Sequence, residues 1–316
     1  MYMKNIFLLL SALLSVEVYG QLTIPRDTSF TVRATYEKEK KKRPYIEIAN
    51  PVLSPSVGSE TDIHFKEING HSLVLDVFYP KQTGRLNPAV LLIFGGGWRS
   101  GDKSQNHAMA IELAAQGYIA VSAEYRLSLE APYPAAVADL KDALRWMRKH
   151  ASAYGIDTSQ IAVMGCSAGG QLAALLGTTS KTIGLGGERI DTAGASVQAI
   201  INIDGTLAFH HPESAEGAVA AQWLGGTYAE RPDNWENAAP LNHVDLYTAP
   251  VLFINSSIPR FHAGRDDMIR KLDSLGIYSE VHTLADTPHP FWFFHPWFRP
   301  MMQQITGFLK KVFPSH

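Results

Sequence analysis

The sequence has a single cysteine, Cys166, among its 316 residues. One thiol cannot form a disulfide within the chain, and its position excludes a lipid-modified cysteine near the N-terminus. Charged residues make up only 18% of the chain and the formal net charge is −2. Nucleic-acid binding needs a clear basic excess, so nucleic acid is excluded as the main ligand. Hydrophobic residues make up 46%, which is typical of a folded globular protein with a substantial core.

The sequence also lacks an N-terminal apolar run long enough to span a bilayer. The run over residues 6–14 follows Lys4 and is much shorter than the ~20 residues that a membrane helix needs. With the small residue Gly20 at a suitable cleavage position, it predicts a signal peptide over residues 1–20 and a periplasmic or extracellular mature protein. Residues 21–61, with a basic run at 38–43, are predicted to form a poorly ordered arm or a strand draped over the body.

From residue 62 to residue 316 the chain is predicted to form one catalytic domain in which strands and helices alternate. The predicted strands are 73–79, 89–94, 118–123, 161–164, 199–203, 251–255 and 278–284. The predicted helices are 106–116, 134–155, 171–176, 266–275 and 301–313. Continuous apolar strands alternating with helices predict an α/β fold, in which a mostly parallel sheet is covered by helices on both faces. Residues 205–245 are interpreted as a variable insertion.

A strand-to-helix turn carries the strongest chemical motif. Residues 165–169 read Gly-Cys-Ser-Ala-Gly and fit the G-x-S-x-G nucleophile elbow, in which a sharp turn exposes a serine hydroxyl. The motif follows the predicted strand 161–164 and opens a helix, which is the context it requires. Ser167 is therefore the predicted nucleophile, against the alternative of a plain tight turn. Cys166 is expected to point away from the site as a buried small hydrophobic residue.

A serine nucleophile needs donors for the oxyanion that forms when it attacks a carbonyl group. The run Gly95-Gly96-Gly97-Trp98 directly follows the predicted strand 89–94, where backbone N–H groups face a pocket without interference from Cβ atoms. The predicted oxyanion donors are the N–H groups of Gly96, Gly97 and Ala168. The alternative is a flexible glycine turn, whereas a phosphate-binding P-loop is excluded because the chain lacks G-K-[ST] there.

The general base is expected after the last strand of the sheet. His289 follows strand 278–284 directly and is the predicted base, with a simple loop histidine as the alternative. His282 lies inside that strand and His295 lies within an aromatic cluster, so both are interpreted as structural. The pair His210-His211 with His243 has no metal-ligand spacing, and neither a metal nor any other cofactor is predicted.

Two aspartates compete for the third position of the triad. Asp204 ends the apolar strand 199–203 and would lie at the same sheet edge as Ser167. Asp266 follows strand 251–255 at a distance, where a helix is expected to begin and an acidic residue is often a simple cap. The prediction favours Asp204. The alternative for Asp204 is a turn-forming residue before a glycine.

Together these motifs resemble the α/β-hydrolase superfamily, and within it the hormone-sensitive-lipase-like and feruloyl-esterase-like carbohydrate esterases. The resemblance rests on the glycine run, on Glu124-Tyr125-Arg126-Leu127, on the elbow and on Pro288-His289-Pro290-Phe291. Two positions depart from the family pattern. Phe94 replaces the histidine of the H-G-G-G form, and Pro259 stands where the family's usual acid would fall. The resemblance implies a serine esterase with the α/β-hydrolase fold and no cofactor.

Residues 255–266 are similar to the secreted α/β-hydrolase pectin methylesterases of gut bacteria. This resemblance implies that the substrate is a methyl-esterified galacturonate in a plant cell-wall polysaccharide, with Arg260 pairing a neighbouring uronate. The alternative for Arg260 is a surface or structural ion pair. Trp98 is a candidate for stacking on a sugar ring. The alternatives are an acetyl or feruloyl esterase acting on xylan or pectin and, in other classes, a serine peptidase or an inactive carbohydrate-binding protein.

Overall fold

A computed structural model describes residue 27 and residues 29–68, 70–81, 84–179 and 194–313. The predicted signal peptide at residues 1–20 lies outside them. The strands are β1 Glu47–Ile48, β2 Val57–Ile68, β3 His71–Pro80, β4 Asn87–Ile93, β5 Ile119–Ala123, β6 Ile156–Cys166, β7 Ala199–Ile203, β8 Val251–Asn255, β9 Ser279–Thr283 and β10 Phe294–His295. The helices are α1 Val32–Lys40, α2 His107–Ala115, α3 Ala135–Lys149, α4 Ala151–Tyr154, α5 Ala168–Thr178, α6 Gly217–Leu224, α7 Pro232–Asn237, α8 Arg265–Ser274 and α9 Phe298–Val312.

Eight of the strands form one sheet in the order β2-β3-β5-β4-β6-β7-β8-β9. β3 pairs antiparallel with both β2 and β5, and the remaining pairs are parallel. The prediction of a mostly parallel sheet is therefore confirmed. β2 and β3 are joined without a helix and are antiparallel, whereas at least one helix lies in the chain between the two strands of every parallel pair, because a parallel pair needs a crossover connection.

Alternate residues of the strands face the two sides of the sheet. In β4, Leu91 and Ile93 belong to the core packed against α3, α5 and α8, whereas Val90 and Leu92 belong to the core packed against α2 and α9. Since both faces are covered, most positions of the central strands are apolar, which explains the long apolar runs in the sequence. Buried polar exceptions include Ser122 of β5 and Asn202 of β7.

The N-terminal segment is more regular than expected. Instead of a poorly ordered arm or a draped strand, it contains helix α1, and β1 pairs with β10. The Thr31 side chain accepts a hydrogen bond from the Ala34 N–H and begins the helix. Lys38 and Lys40 of the basic run lie in its last turn, where positive charge is favourable. The predicted domain boundary at residue 62 falls inside β2, which begins at Val57.

The insertion at residues 205–245 contains α6 and α7, which pack on the face of the sheet that holds α5. Trp223 of α6 is fully buried there. Among the described residues, none of the helices has both the length and the hydropathy required to traverse a bilayer.

The carboxyl ends of four parallel strands meet at one edge of the sheet. The register pairs Ile93 of β4 with Gly165 of β6, and Ile203 of β7 with Cys166 of β6 and with Ile254 of β8. The loops after β4, β6, β7 and β8 are therefore adjacent. A site at this edge can draw residues from all four.

Candidate active site

Ser167 lies in the turn between β6 and α5 with a backbone conformation that an L-residue rarely adopts, at φ 55° and ψ −122°. The turn depends on two flanking glycines. A Cβ atom on Gly165 would lie 2.0 Å from the Gly169 carbonyl oxygen, and one on Gly169 would lie 2.1 Å from the Ile93 carbonyl oxygen. The Ser167 N–H donates to the Ile203 carbonyl oxygen at 2.8 Å. Close packing of three backbones therefore holds the strained turn and presents the serine side chain to the site.

The three predicted triad residues form one continuous chain of hydrogen bonds. Ser167 Oγ lies 2.8 Å from His289 Nε2, and His289 Nδ1 lies 2.8 Å from Asp204 Oδ2. With Nδ1–H donating to the carboxylate, Nε2 is left as the acceptor for the serine proton. The arrangement matches the geometric roles of nucleophile, base and orienting acid.

Asp204 is ionised in spite of its burial. Its side chain is fully buried, which raises the pKa of the carboxyl, but contacts with His262 and His289 and the hydrogen bond from the Ser256 N–H outweigh burial and lower the pKa to about 2. Ser256 N–H donates to Oδ1 at 2.9 Å. His262 Nδ1 lies 3.7 Å from the same oxygen, which is an ion-pair distance rather than a hydrogen bond. The carboxylate can therefore stabilise an imidazolium on His289.

The other candidate acid is elsewhere. Asp266 lies in the first turn of α8, where its side chain is 60% exposed and pairs with Arg265 at 2.8 Å. Asp204 directly follows β7 and has a positive φ of 50°. The next residue, Gly205, lies so close to α5 that a Cβ atom on it would be 2.4 Å from the Gln171 backbone nitrogen. The acid of this site therefore comes from the end of β7, one strand nearer to the nucleophile than β8.

Aromatic rings on two sides restrict His289. The Phe261 ring stacks on the imidazole with 3.4 Å between centroids and 11° between planes, and the Trp292 ring meets it edge-on at 5.1 Å. The imidazole therefore has little freedom to rotate away from Ser167 and Asp204. The aromatic run at residues 291–294 is otherwise buried in the core.

The glycine run after β4 packs directly against the elbow. A Cβ atom on Gly95 would lie 3.1 Å from Ser167 Cβ, and one on Gly96 would lie 2.0 Å from the Ser100 carbonyl oxygen. Gly97 and Ala168 line a small cavity next to Ser167, whereas Gly96 is not among the described residues that line it. Ala168 is the first residue of α5, so its N–H has no partner within the helix. Of the three predicted oxyanion donors, Gly97 and Ala168 are therefore the two whose residues line the cavity beside Ser167.

The structure corrects the stacking role predicted for Trp98. Its side chain is only 2% exposed, because one face of the indole stacks on Trp223 at 4.9 Å and Phe209 lies at 5.4 Å. Its Nε1–H donates to Gln171 Oε1 at 2.9 Å. Trp98 therefore forms an inner wall of the cavity and offers no free face to a sugar ring.

Arg260 lies beside two residues that line the cavity, Glu216 and Phe261. Its side chain is 48% exposed, and the guanidinium carbon lies 4.0 Å from the Phe261 ring centroid. Arg260 Nη1 is 4.0 Å from Glu216 Oε1, and Glu216 lines the cavity together with Ser167, Thr206 and Phe261. Burial raises the pKa of the Glu216 carboxyl, although Arg260 and His289 oppose the shift.

The remaining candidates lie outside the site. Cys166 is a buried free thiol whose pKa is raised by burial, with a smaller contribution from Asp204. In the described part of the chain, no cluster of three or more His, Cys, Asp or Glu side chains has an arrangement that could hold a metal ion. His211 and His243 bind separate partners, the Asp267 carboxylate and the Asn237 carbonyl oxygen.

Three residues of the site were not among the sequence predictions. Phe261 and His262 lie within residues 255–266, the stretch that resembles pectin methylesterases. No sequence motif indicated that Phe261 stacks on His289 or that His262 faces Asp204. Glu216 lies in the insertion, where no motif marks it. The packing of α6 against the glycine run, through Val219 beside Gly97 and Trp223 on Trp98, places Glu216 at the cavity that Ser167 also lines.

Proteins of known sequence and structure resemble this chain over most of the described residues. LipC, an esterase of Mycobacterium tuberculosis, is 33% identical over 192 residues, which are 58% of this chain and 47% of LipC. The chain thus spans about half the length of this relative. A truncated carbohydrate esterase from gut microbiota superposes with a TM-score of 0.63 at 24% identity, over 82% of this chain and 98% of that one. Esterase Est2 of Thermogutta terrifontis superposes with a TM-score of 0.66 at 22% identity, over 82% and 93%.

The two structural matches confirm the predicted α/β-hydrolase fold, and the relatives' names agree with the expected class of carboxylic ester hydrolase. The BD-FAE family model matches residues 75–274, more than half of the chain. That range includes the glycine run, the elbow, Asp204 and the insertion. The chain belongs to the BD-FAE family.

Proposed function

We propose that this protein is a serine carboxylic-ester hydrolase that works by double displacement. The observation that carries the proposal is the hydrogen-bonded series Ser167 Oγ, His289 Nε2, His289 Nδ1 and Asp204 Oδ2, with 2.8 Å at each link. A serine in strained geometry, an oriented base and two adjacent backbone N–H groups are the parts that acyl transfer needs. No cofactor enters the reaction.

The first half of the reaction forms an acyl-enzyme. Ser167 Oγ attacks the ester carbonyl carbon while its proton passes to His289 Nε2, and the carbonyl oxygen becomes an oxyanion. The N–H groups of Gly97 and Ala168 stabilise this oxyanion, and Asp204 stabilises the imidazolium. When the tetrahedral intermediate collapses, the C–O bond to the alcohol breaks and His289 donates the proton to the leaving oxygen.

The second half releases the acid. A water molecule gives a proton to His289 Nε2 and attacks the acyl carbon. Collapse of the second tetrahedral intermediate breaks the bond to Ser167 Oγ, which recovers its proton from His289. The products are a carboxylic acid, which ionises at neutral pH, and an alcohol.

We propose a methyl-esterified galacturonate of pectin as the substrate, so that the alcohol is methanol. The cavity beside Ser167 has a volume of about 20 Å³, enough for about one water-sized group. A methyl group is of that size, whereas a feruloyl group is many times larger. The half-exposed guanidinium of Arg260 is positioned near the cavity where it can pair a neighbouring uronate. The resemblance of residues 255–266 to pectin methylesterases supports the same substrate.

An acetyl ester on xylan or pectin is the second candidate. An acetyl group is only slightly larger than the methyl group that the cavity accommodates, and much smaller than a feruloyl group. One of the structural matches is named a carbohydrate esterase. In that reaction the sugar is the alcohol and acetate is the acid product, so the two candidates differ in which product carries the sugar.

The proposal is tested by the products released from defined polysaccharides. Methanol, acetate and ferulate are measured after incubation with pectin, a complex pectin oligosaccharide, acetylated xylan and feruloylated xylan, with Ser167→Ala as the inactive control. Methanol from pectin that is absent with the variant is the expected result. Acetate or ferulate instead retains the mechanism but replaces the substrate. Release of no product would contradict an esterase and favour a peptidase or a carbohydrate-binding protein.

We also propose that the mature protein is exported, since residues 1–20 have the pattern of a cleavable signal peptide. N-terminal sequencing of the native protein tests this. An N-terminus near Gln21 is expected, and retention of Met1 would contradict it.

A further inference from the structure

Glu216 is a charged side chain beside the nucleophile that the proposed reaction does not use. His289 is already the base and Asp204 the orienting acid. A carboxylate near a developing oxyanion opposes its formation, because like charges repel. Its presence in the cavity with Ser167 therefore needs another explanation.

The carboxylate of Glu216 is short of hydrogen-bond donors within the protein. Its side chain is only 15% exposed, and the nearest cationic atom, Arg260 Nη1, lies 4.0 Å away, beyond hydrogen-bond distance. None of the hydrogen bonds among the described residues ends on its side-chain oxygens. A mostly buried carboxylate that lacks donors is costly, so the site favours a ligand that supplies them.

The position of Glu216 restricts which ligand supplies these donors. It precedes α6, where its carbonyl oxygen accepts from the Val219 N–H at 3.1 Å, so its backbone is part of the first turn. Its side chain lines the same cavity as Ser167 and Phe261. The part of the substrate that contacts Glu216 is therefore close to the scissile ester.

We propose that Glu216 is a specificity-determining residue that accepts a hydrogen bond from a free hydroxyl group on the sugar ring beside the scissile ester. This inference rests on the proposed function and names the feature of the substrate that the site recognises. A neutral hydroxylated ring satisfies the carboxylate, whereas an alkyl ester leaves it without donors and a free carboxylate at the same place is repelled. The Arg260 side chain is more exposed than that of Glu216 and remains available to pair with the carboxylate of the next galacturonate in the polysaccharide.

The test compares two methyl esters that differ in ring hydroxyls. Methyl galacturonate carries them and methyl cyclohexanecarboxylate does not. In the parent enzyme the ratio of kcat/KM for the two esters is expected to favour the sugar. Glu216→Gln is expected to reduce that ratio about tenfold and Glu216→Ala about a hundredfold, because hydrogen bonds to charged groups are stronger than those between neutral groups.

Glu213→Gln is the matched control. Glu213 lies in the same insertion, but its carboxylate is half-exposed and accepts from the Gly264 N–H at 3.1 Å. The ratio should stay within about twofold of the parent's, as for an ordinary surface substitution. If Glu216→Gln lowers kcat/KM for both esters equally, or changes neither, the specificity role is wrong.

Failure of the proposed substrate gives a different result. If the parent does not hydrolyse methyl galacturonate, the pectin proposal fails, and the same ratio is measured with an acetylated xylose and cyclohexyl acetate. If none of these esters is hydrolysed, calorimetric titration of Ser167→Ala with a methyl-esterified oligogalacturonide still tests Glu216. If the double variant Ser167→Ala/Glu216→Gln binds the oligogalacturonide about tenfold more weakly than Ser167→Ala, the proposal is supported. If the two bind equally, or if Ser167→Ala does not bind at all, it is overturned.

Discussion

Asp204 Oδ2 lies 2.8 Å from His289 Nδ1, although 85 residues separate the two in the chain. The acid reaches the base from the end of β7, because β6, β7 and β8 are adjacent and parallel and their carboxyl ends meet. Pro259 occupies the place of the usual acid, and the loop after β8 supplies Phe261 and His262 instead. The Phe261 ring stacks on His289, and His262 lies beside Asp204.

The first prediction concerns the identity of the acid. Asp204→Asn should lower kcat by about 10⁴-fold, because the amide no longer selects the His289 tautomer that accepts the serine proton. Asp266→Asn removes an exposed carboxylate from the first turn of α8 and should leave kcat within about twofold of the parent's. Steady-state hydrolysis of one small ester by both variants makes the comparison. Equal losses in the two variants would contradict the assignment.

The second prediction concerns the glycines of the elbow. Gly169→Ala would place a Cβ atom 2.1 Å from the Ile93 carbonyl oxygen, in a backbone that cannot move away without disturbing β4. We expect it to lower the free energy of unfolding by more than about 3 kcal/mol. Gly307→Ala in α9 is the matched control, since a Cβ atom there meets nothing within 4 Å. It should raise stability by up to about 1 kcal/mol. Chemical denaturation measures both, and a mild effect at Gly169 would contradict the close approach.

The third prediction concerns acid stability. The pKa of Asp204 falls from 3.8 to about 2 on folding, so its ionised form stabilises the folded state. This contribution, about 2 kcal/mol, is complete above pH 3.8 and is lost as the pH falls through about 2. The difference in free energy of unfolding between the parent and Asp204→Asn should therefore have its full size above pH 3.8 and shrink as the pH falls towards about 2. Denaturant titrations of both proteins over this range test the sign, and a constant difference would refute it.

The fourth prediction concerns Arg260. Arg260→Met keeps an unbranched side chain over the Phe261 ring but removes the charge. We expect KM for an anionic pectin oligosaccharide to rise roughly threefold to tenfold at low salt, with kcat unchanged, because a half-exposed cation contributes modestly. The effect should fade at high ionic strength. Arg270→Met, at a more exposed position in α8, is the control. An equal rise in KM for a neutral methyl ester would argue against a contact with uronate.

Much of the fold follows from local pattern. The central strands can be predicted because helices cover both faces of the sheet, so both faces of each strand are mostly apolar. The helices can be predicted because each packs one apolar face on the sheet and exposes a polar one. The expectation of a poorly ordered arm or a draped strand at the N-terminus missed helix α1. Helix α1 is polar over most of its length, and its stability depends on the Thr31 cap and on packing such as that of Tyr36 against Phe294, whose ring centroids are 6.1 Å apart. Neither contact is visible in hydrophobic periodicity.

Short motifs were enough to identify the nucleophile elbow, the glycine run and the histidine after β9, since each is encoded within a few consecutive residues at a strand end. The sequence also favoured Asp204 over Asp266, from the expectation that parallel strands end at one edge. Tertiary structure alone decided that Asp204 is hydrogen-bonded to His289 and that Trp98 is buried against Trp223. It also brought Glu216 of the insertion beside Ser167. These relationships join residues far apart in the chain, and the packing of side chains that sets them leaves no local pattern in the sequence.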